Sequence, residues 1–172
     1  MTDLEFHHVD RFTTGTVGPP GQRVFYIQAV ESGHVVTFKI EKQQVTALAD
    51  SLHGILSDLP TPDLAGEDLD LVEPVVAEWA VGALGIAYDD QTDRILLVAE
   101  QFVGGEDDAD GEPPDALGNA STGAASARFQ ITRDQAAAFV NHARGVVAAG
   151  RPPCLFCGLP RHAAGHVCPR MN

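Results

Sequence analysis

Three cysteines and two histidines fall within "CLFCGLPRHAAGHVC", residues 154–168, and the chain has no other cysteine. Thiolate sulfur and imidazole nitrogen are the ligands zinc prefers, four of them in a tetrahedron, often starting from two cysteines separated by two residues. Cys154 and Cys157 have that spacing, Gly158 lets the backbone turn tightly behind them, and Cys168 adds a third thiolate. The fourth ligand is His166 or His162. His166 is preferred, because it stands two residues before Cys168 and "GHVCP" repeats the short turn of "CLFCG". His162 instead gives Cys-x2-Cys-x4-His-x5-Cys.

Two other chemistries use the same residues: free thiols on a disordered tail, and a thioredoxin-like redox pair. Such a pair normally opens a helix, whose terminus lowers the thiol pKa. Here Pro152, Pro153 and Pro160 bracket the pair and disfavour a helix. Four protein ligands close a zinc shell, whereas a catalytic zinc keeps a position open for water. The expectation is therefore one structural zinc ion, whose binding orders a tail with no core of its own.

Other constellations are weaker. "GTVGPPG" spaces Gly15, Gly18 and Gly21 by three, with Arg11 and Arg23 nearby, which suits either a phosphate cradle or a turn between strands. The turn is the preferred reading. "EDDADG" imitates the start of a calcium loop, but its closing bidentate position falls on Leu117. Walker A, Gly-x-Ser-x-Gly and His-Glu-x-x-His patterns are absent, and the only lysines are Lys39 and Lys42. His7, His8, His34, His53 and His142 are scattered, and Trp79 opens an apolar strand as a core residue.

The elements that must position these residues read as a repeat. "FKIEKQQVTALADSLHGIL" from Phe38 aligns without a gap on "FQITRDQAAAFVNHARGVV" from Phe129, an offset of 91. Each opens with a Phe-x-Ile strand and continues as a helix with one apolar stripe. The stripes are Val45, Leu48, Ala49, Leu52, Ile55, Leu56 and Ala136, Phe139, Val140, Ala143, Val146, Val147. Thr132 with Gln135 forms a capping box, and Glu41 with Gln44 a weaker one. Earlier strands at 9–17, 23–30 and 35–40 match strands at 78–88, 94–103 and 126–131. The fold class expected is α+β: a tandem strand-strand-strand-helix unit with about six mainly antiparallel strands. Its two helices should cover one sheet or barrel, and a zinc knuckle should close the chain.

The domain spans 1–150, with halves at about 5–57 and 76–149, an acidic linker at 58–74 and an acidic loop at 104–125; the tail is 151–172. At 172 residues the chain can bury a proper core. With aromatics at only 6%, that core is expected to rest on Val, Leu, Ile and Ala. A net charge of −13 argues against nucleic acid as a partner. The two acidic segments hold 12 of the 24 acids and read as solvated. No acid follows Asp134, while Arg144, Arg151, Arg161 and Arg170 do, so a basic tail sits on an acidic body. The N-terminus lacks a signal-peptide pattern and no apolar run spans a bilayer, so a cytoplasmic protein without membrane contact is expected. Localised cysteines fit that reducing compartment.

The opening "VDRFTTGTVGPPGQRVFYIQA" and the closing "VVAAGRPPCLFCGLPRHAAGHVCPR" resemble an actinobacterial family catalogued as domain of unknown function 3090. The resemblance covers nearly the whole chain, least well at the acidic loop. It implies a metal ligand set of Cys154, Cys157, His166 and Cys168, since His162 falls where the family tends to have an acid. It implies no activity. The leading expectation is a non-catalytic binding or adaptor protein that meets a protein partner through its basic tail. The alternatives are an enzyme acting on a phosphorylated or nucleotide-like ligand near Arg11, Arg23 and the Gly15–Gly21 turn, and a thiol redox or metal sensor. A deep pocket gathering Arg, His and carboxylate groups would favour the enzyme.

Overall fold

The computed structural model describes residues 3–60, 68–104, 123–150, 154–158 and 167–170. Seven strands and two helices are formed among them: β1 Asp3–Phe6, β2 Arg11–Val17, β3 Val24–Glu31, β4 His34–Ile40, α1 Lys42–Ser57, β5 Val81–Asp89, β6 Arg94–Gln101, β7 Ser126–Ile131 and α2 Arg133–Ala148. Each half thus runs strand-strand-strand-helix, as the sequence pattern predicts. β1 is the additional strand; four residues are too few for alternation to be read. Neither helix is long and apolar enough to cross a membrane.

The strands do not form the single sheet or barrel expected. They form two sheets, β2-β3-β4 and β1-β7-β6-β5. The reason lies in what pairs with the last strand of each half. β1 runs parallel to β7, with Phe6 opposite Phe129. The segment before β5 lies parallel to β4, where Glu78 N–H donates to Thr37 O (2.8 Å), Lys39 N–H to Trp79 O (3.0 Å), and Lys39 bridges to Ala80. The lead-in of each half therefore caps the sheet of the other half.

The helix starts reciprocate in the same way. In α2, the Gln135 N–H donates to Thr132 Oγ1 (3.1 Å), and Gln135 Oε1 accepts from the Thr132 N–H (2.9 Å). Gln135 Nε2 then donates to Val9 O in the first half, at 2.7 Å. In α1, Gln44 Oε1 accepts from the Glu41 N–H (2.9 Å), while its Nε2 donates to Val81 O (3.3 Å) and Gly82 O (3.1 Å) in the second half. One glutamine at the third helical position both caps its own helix and grips the opposite half.

Contrary to the aliphatic core expected from composition, aromatic rings occupy its centre. Phe129 lies 5.3 Å from Phe6, 5.6 Å from Phe12 and 5.8 Å edge-on from Phe38, measured between ring centroids. Phe12 continues to Phe139 at 5.0 Å, and Phe38 to Trp79 at 4.4 Å. Few aromatics suffice because they are concentrated where the halves meet. The helical stripes fill the rest, with Val45, Leu48, Ala49 and Leu52 of α1 and Ala136, Phe139, Val140 and Ala143 of α2 all buried.

Part of the acidic linker is structural. Thr13, Gln28 and Thr37 form a buried polar row across β2-β3-β4, since register places Gln28 opposite both threonines. Gln28 Nε2 donates to Thr37 Oγ1 and to Val72 O (both 3.0 Å), and Gln28 Oε1 accepts from the Val72 N–H at 2.8 Å. Thr13 Oγ1 donates to Leu69 O. Gly15 lies beneath Leu71, where a Cβ would stand 2.6 Å from Leu71 Cγ, so its bare backbone admits the linker. Residues 61–67 and 105–122, which hold the rest of the linker and most of the acidic loop, lie outside the described residues.

Two variants test this arrangement. Phe129→Ala removes a ring packed against both halves and should cost about 3–5 kcal/mol in urea denaturation, with both halves unfolding in one transition. Gln28→Leu strands the Val72 backbone and Thr37 and should cost about 1–3 kcal/mol, accompanied by faster amide exchange at Val72.

Candidate metal centre

The three cysteines converge. The sulfurs of Cys154, Cys157 and Cys168 all lie within 4.8 Å of one another, and those of Cys154 and Cys168 are 3.9 Å apart. Zinc–sulfur bonds of about 2.3 Å in a tetrahedron put sulfurs about 3.8 Å apart, so the donor set fits a metal ion. Local backbone chemistry makes the fit. Residues 155–157 turn, the Gly158 N–H donates to Cys154 O at 2.9 Å, and Gly158 takes φ +74°, the left-handed conformation that favours glycine. Arg170 ties the second turn to the first by donating to Phe156 O at 3.2 Å.

The same turn prepares the ligand. The backbone N–H of Cys157, and next that of Phe156, point at the Cys154 sulfur and pull its pKa down to about 6, with smaller help from the Cys157 and Cys168 thiols. Cys154 and Cys168 are buried and Cys157 half-buried. Apolar side chains flank them in the opposite state: Leu155 is 91% exposed, Val167 88% and Phe156 59%. His166, the preferred fourth ligand, and His162, its alternative, both lie outside the described residues, as do Arg151 and Arg161.

The structure separates the two arginines assigned to the glycine turn. Arg11 stands at the far end of β2 from Gly18 and Gly21, where it donates to Asp70 O and lies 3.8 Å from Asp68. Arg23 stays at the turn. It lines a cleft of about 590 Å³ with Gly21, Lys39, Glu41, Lys42 and Gly150. Gly15 belongs to β2 under Leu71 and not to this cleft. The lysines are what sequence reasoning missed. Their signal was rarity, since both lysines of the chain flank one strand-to-helix junction. A second cleft of about 500 Å³ is lined by His34, Glu78, Trp79 and Gln101. Neither of these two clefts combines Arg, His and carboxylate groups among its described lining.

An α+β fold of two interlocked halves, closed by a three-cysteine cluster able to hold a metal ion, defines the class. The chain belongs to the family described as "Protein of unknown function (DUF3090)", which matches residues 4–168. Neither the curated proteins nor the solved structures contain a match to it.

The depressed Cys154 pKa has a definite sign. In the metal-free protein the thiolate is favoured by folding, so its stabilisation is complete above the unfolded thiol value of about 8.5 and fades as pH falls through about 6. Protons should accordingly compete little for the Cys154 thiolate at neutral pH and begin to weaken metal binding as pH falls below about 6, with loss of the ion following at lower pH, read by metal analysis after dialysis across an acid series. A retention midpoint unmoved by Cys154→Ser would show that another group controls release.

Proposed function

We propose that this is a small zinc protein acting as a non-catalytic binding or adaptor protein. One structural zinc is held by Cys154, Cys157, Cys168 and His166. The observation that carries the reading is the pairing of buried thiols with exposed apolar neighbours on the same two turns. A turn that folds around an ion spends its cysteines inward and leaves Leu155, Phe156 and Val167 to solvent. Exposed apolar side chains rimmed by arginines suit a protein surface with acidic edges. Arg170 contributes to that rim while bracing Phe156.

A tandem duplication is part of the same reading. The gap-free match from Phe38 to Phe129 supports it, and so do the equivalent roles of Gln44 and Gln135 and the reciprocal capping of the sheets. A second functional reading, a thiol redox switch, is favoured by one observation: a thiol with pKa about 6 only 3.9 Å from a second sulfur. Metal analysis separates the two. One zinc per chain, retained through mild oxidation, supports the structural centre, whereas a metal-free protein that forms a Cys154–Cys168 disulfide supports the switch.

The adaptor surface is tested without touching the ligands. Leu155→Asp with Phe156→Asp should preserve metal content and melting temperature but reduce capture of the partner obtained with the native chain by at least about tenfold, the loss of one or two buried apolar anchors. Unchanged capture by that variant, with Cys168→Ser equally unaffected, would remove the knuckle from the interface.

A further inference from the structure

We propose that the cleft between the β2–β3 turn, the β4–α1 junction and the C-terminal end of α2 binds the phosphate group of a small organic phosphate. This stands apart from the adaptor reading and does not involve the thiols. The cleft collects Arg23, Lys39 and Lys42, three of the chain's 11 basic residues, in a protein with 24 acidic ones. A Cβ placed on Gly150 would stand 3.4 Å from Arg23 Nη2 and 3.6 Å from Lys42 Nζ, so two cations approach one point beside a residue with no side chain. Among the described residues, Arg11, Arg128, Arg133 and Arg144 each lie within 4.0 Å of a carboxylate, whereas Arg23, Lys39 and Lys42, like the separate Arg94 and Arg170, have none so close. Gathering like charges is unfavourable unless an anion completes the arrangement, and acids are the commonest charged residues of this chain.

The opposite half shows what is missing. Register matches Phe25 opposite Ile40 with Ile95 opposite Ile131, and Ile40 and Ile131 are equivalent in the aligned segments. Counting two residues back, Arg23 corresponds to Asp93; counting two forward from the isoleucines, Lys42 corresponds to Arg133. In the second half Asp93 neutralises Arg133, with Nε–Oδ1 at 2.8 Å and Nη2–Oδ2 at 3.0 Å, and Tyr88 adds a hydrogen bond to Asp93. In the first half a guanidinium stands where that carboxylate would be. The built-in anion has been exchanged for a cation, and the space is an open cleft.

The surroundings favour a phosphate. Arg23 is fixed by donating from Nη1 to Val146 O at 3.2 Å and by lying 5.4 Å over the Phe25 ring, so its fork does not have to be ordered on binding. α1 begins in the cleft with no acid in its first turn, so the positive end of its dipole is opposed there by its N-cap carboxylate alone. The one carboxylate on the wall is Glu41, the N-cap of α1. Val24, Ile40, Val147 and Ala148 provide an apolar side for the organic remainder, and the volume suits a ligand of a few hundred Å³.

The full-length protein, labelled with nitrogen-15, is titrated with adenosine 5′-monophosphate, inorganic phosphate and adenosine at constant ionic strength, with chloride as the balancing anion. The nucleotide should give saturable shifts at the Lys42, Gln43 and Gly150 amides, inorganic phosphate weaker ones, and adenosine none. Lys39→Ala and Lys42→Ala, both at exposed positions, should each weaken the nucleotide about tenfold, as loss of a charge-assisted contact requires. Glu41→Gln should strengthen it by removing the opposing charge. Shifts that survive in the folded double lysine variant, or that chloride alone reproduces, would overturn the site. Equal affinity for inorganic phosphate and the nucleotide would overturn the organic part and assign the cleft to free phosphate.

Discussion

Everything else in this fold depends on the edge-on contact between Phe38 and Phe129. They occupy equivalent places in the two halves, at the strand position just before each helix, and their rings meet 5.8 Å apart. Residues related in this way touch only when the halves are packed face to face about a shared line. From that contact the lead-in segments are carried across, so that Phe6 stacks on Phe129 and Trp79 tilts against Phe38. The glutamine caps then fasten each helix to the other half, Gln44 to the start of β5 and Gln135 to Val9 just ahead of β2. Neither half can bury its central ring alone, because the surfaces covering that ring come from its counterpart.

The metal centre follows a different logic. It is local, built from two short turns, and its geometry comes from backbone N–H groups and a left-handed glycine rather than from a hydrophobic core. The N–H groups that lower the Cys154 pKa also hold its sulfur where an ion would sit. Such a site is prepared by the chain and completed by the ion. That economy leaves the adjoining apolar side chains Leu155, Phe156 and Val167 facing solvent.

The elements were legible where one periodicity repeated. Both helices and six strands follow from apolar stripes and alternation, and the capping glutamines were visible as residues. That those glutamines also reach across to Val9 and Val81 was not, because a side chain's second partner is set by tertiary packing. The same holds for the sheets: β1 is too short to read, and strand exchange leaves no local mark. The linker's acids suggested solvation, yet alternate apolar residues Leu69 and Leu71 lie on the sheet while the Asp68 carboxylate and the Asp70 backbone carbonyl meet Arg11. The cysteines carried their chemistry in their spacing. Lys39 and Lys42 did not, since only the register of β3 and β4 brings them beside Arg23.

The crossed lead-ins have a consequence for how the chain is wired. Cut between residues 60 and 68, it would yield two fragments that between them retain every contact described, because none of those contacts requires the peptide bonds in between. The covalent connection then serves chiefly as a tether, keeping complementary fragments at an effective concentration on the order of millimolar. Two separate polypeptides of this kind would make an obligate heterodimer, and one polypeptide used twice would make a homodimer. A homodimer would force the two positions to be alike, whereas here the second half keeps its Asp93–Arg133 pair and the first carries Arg23 at the matching register. One continuous chain, in these terms, leaves the two matching positions free to differ chemically.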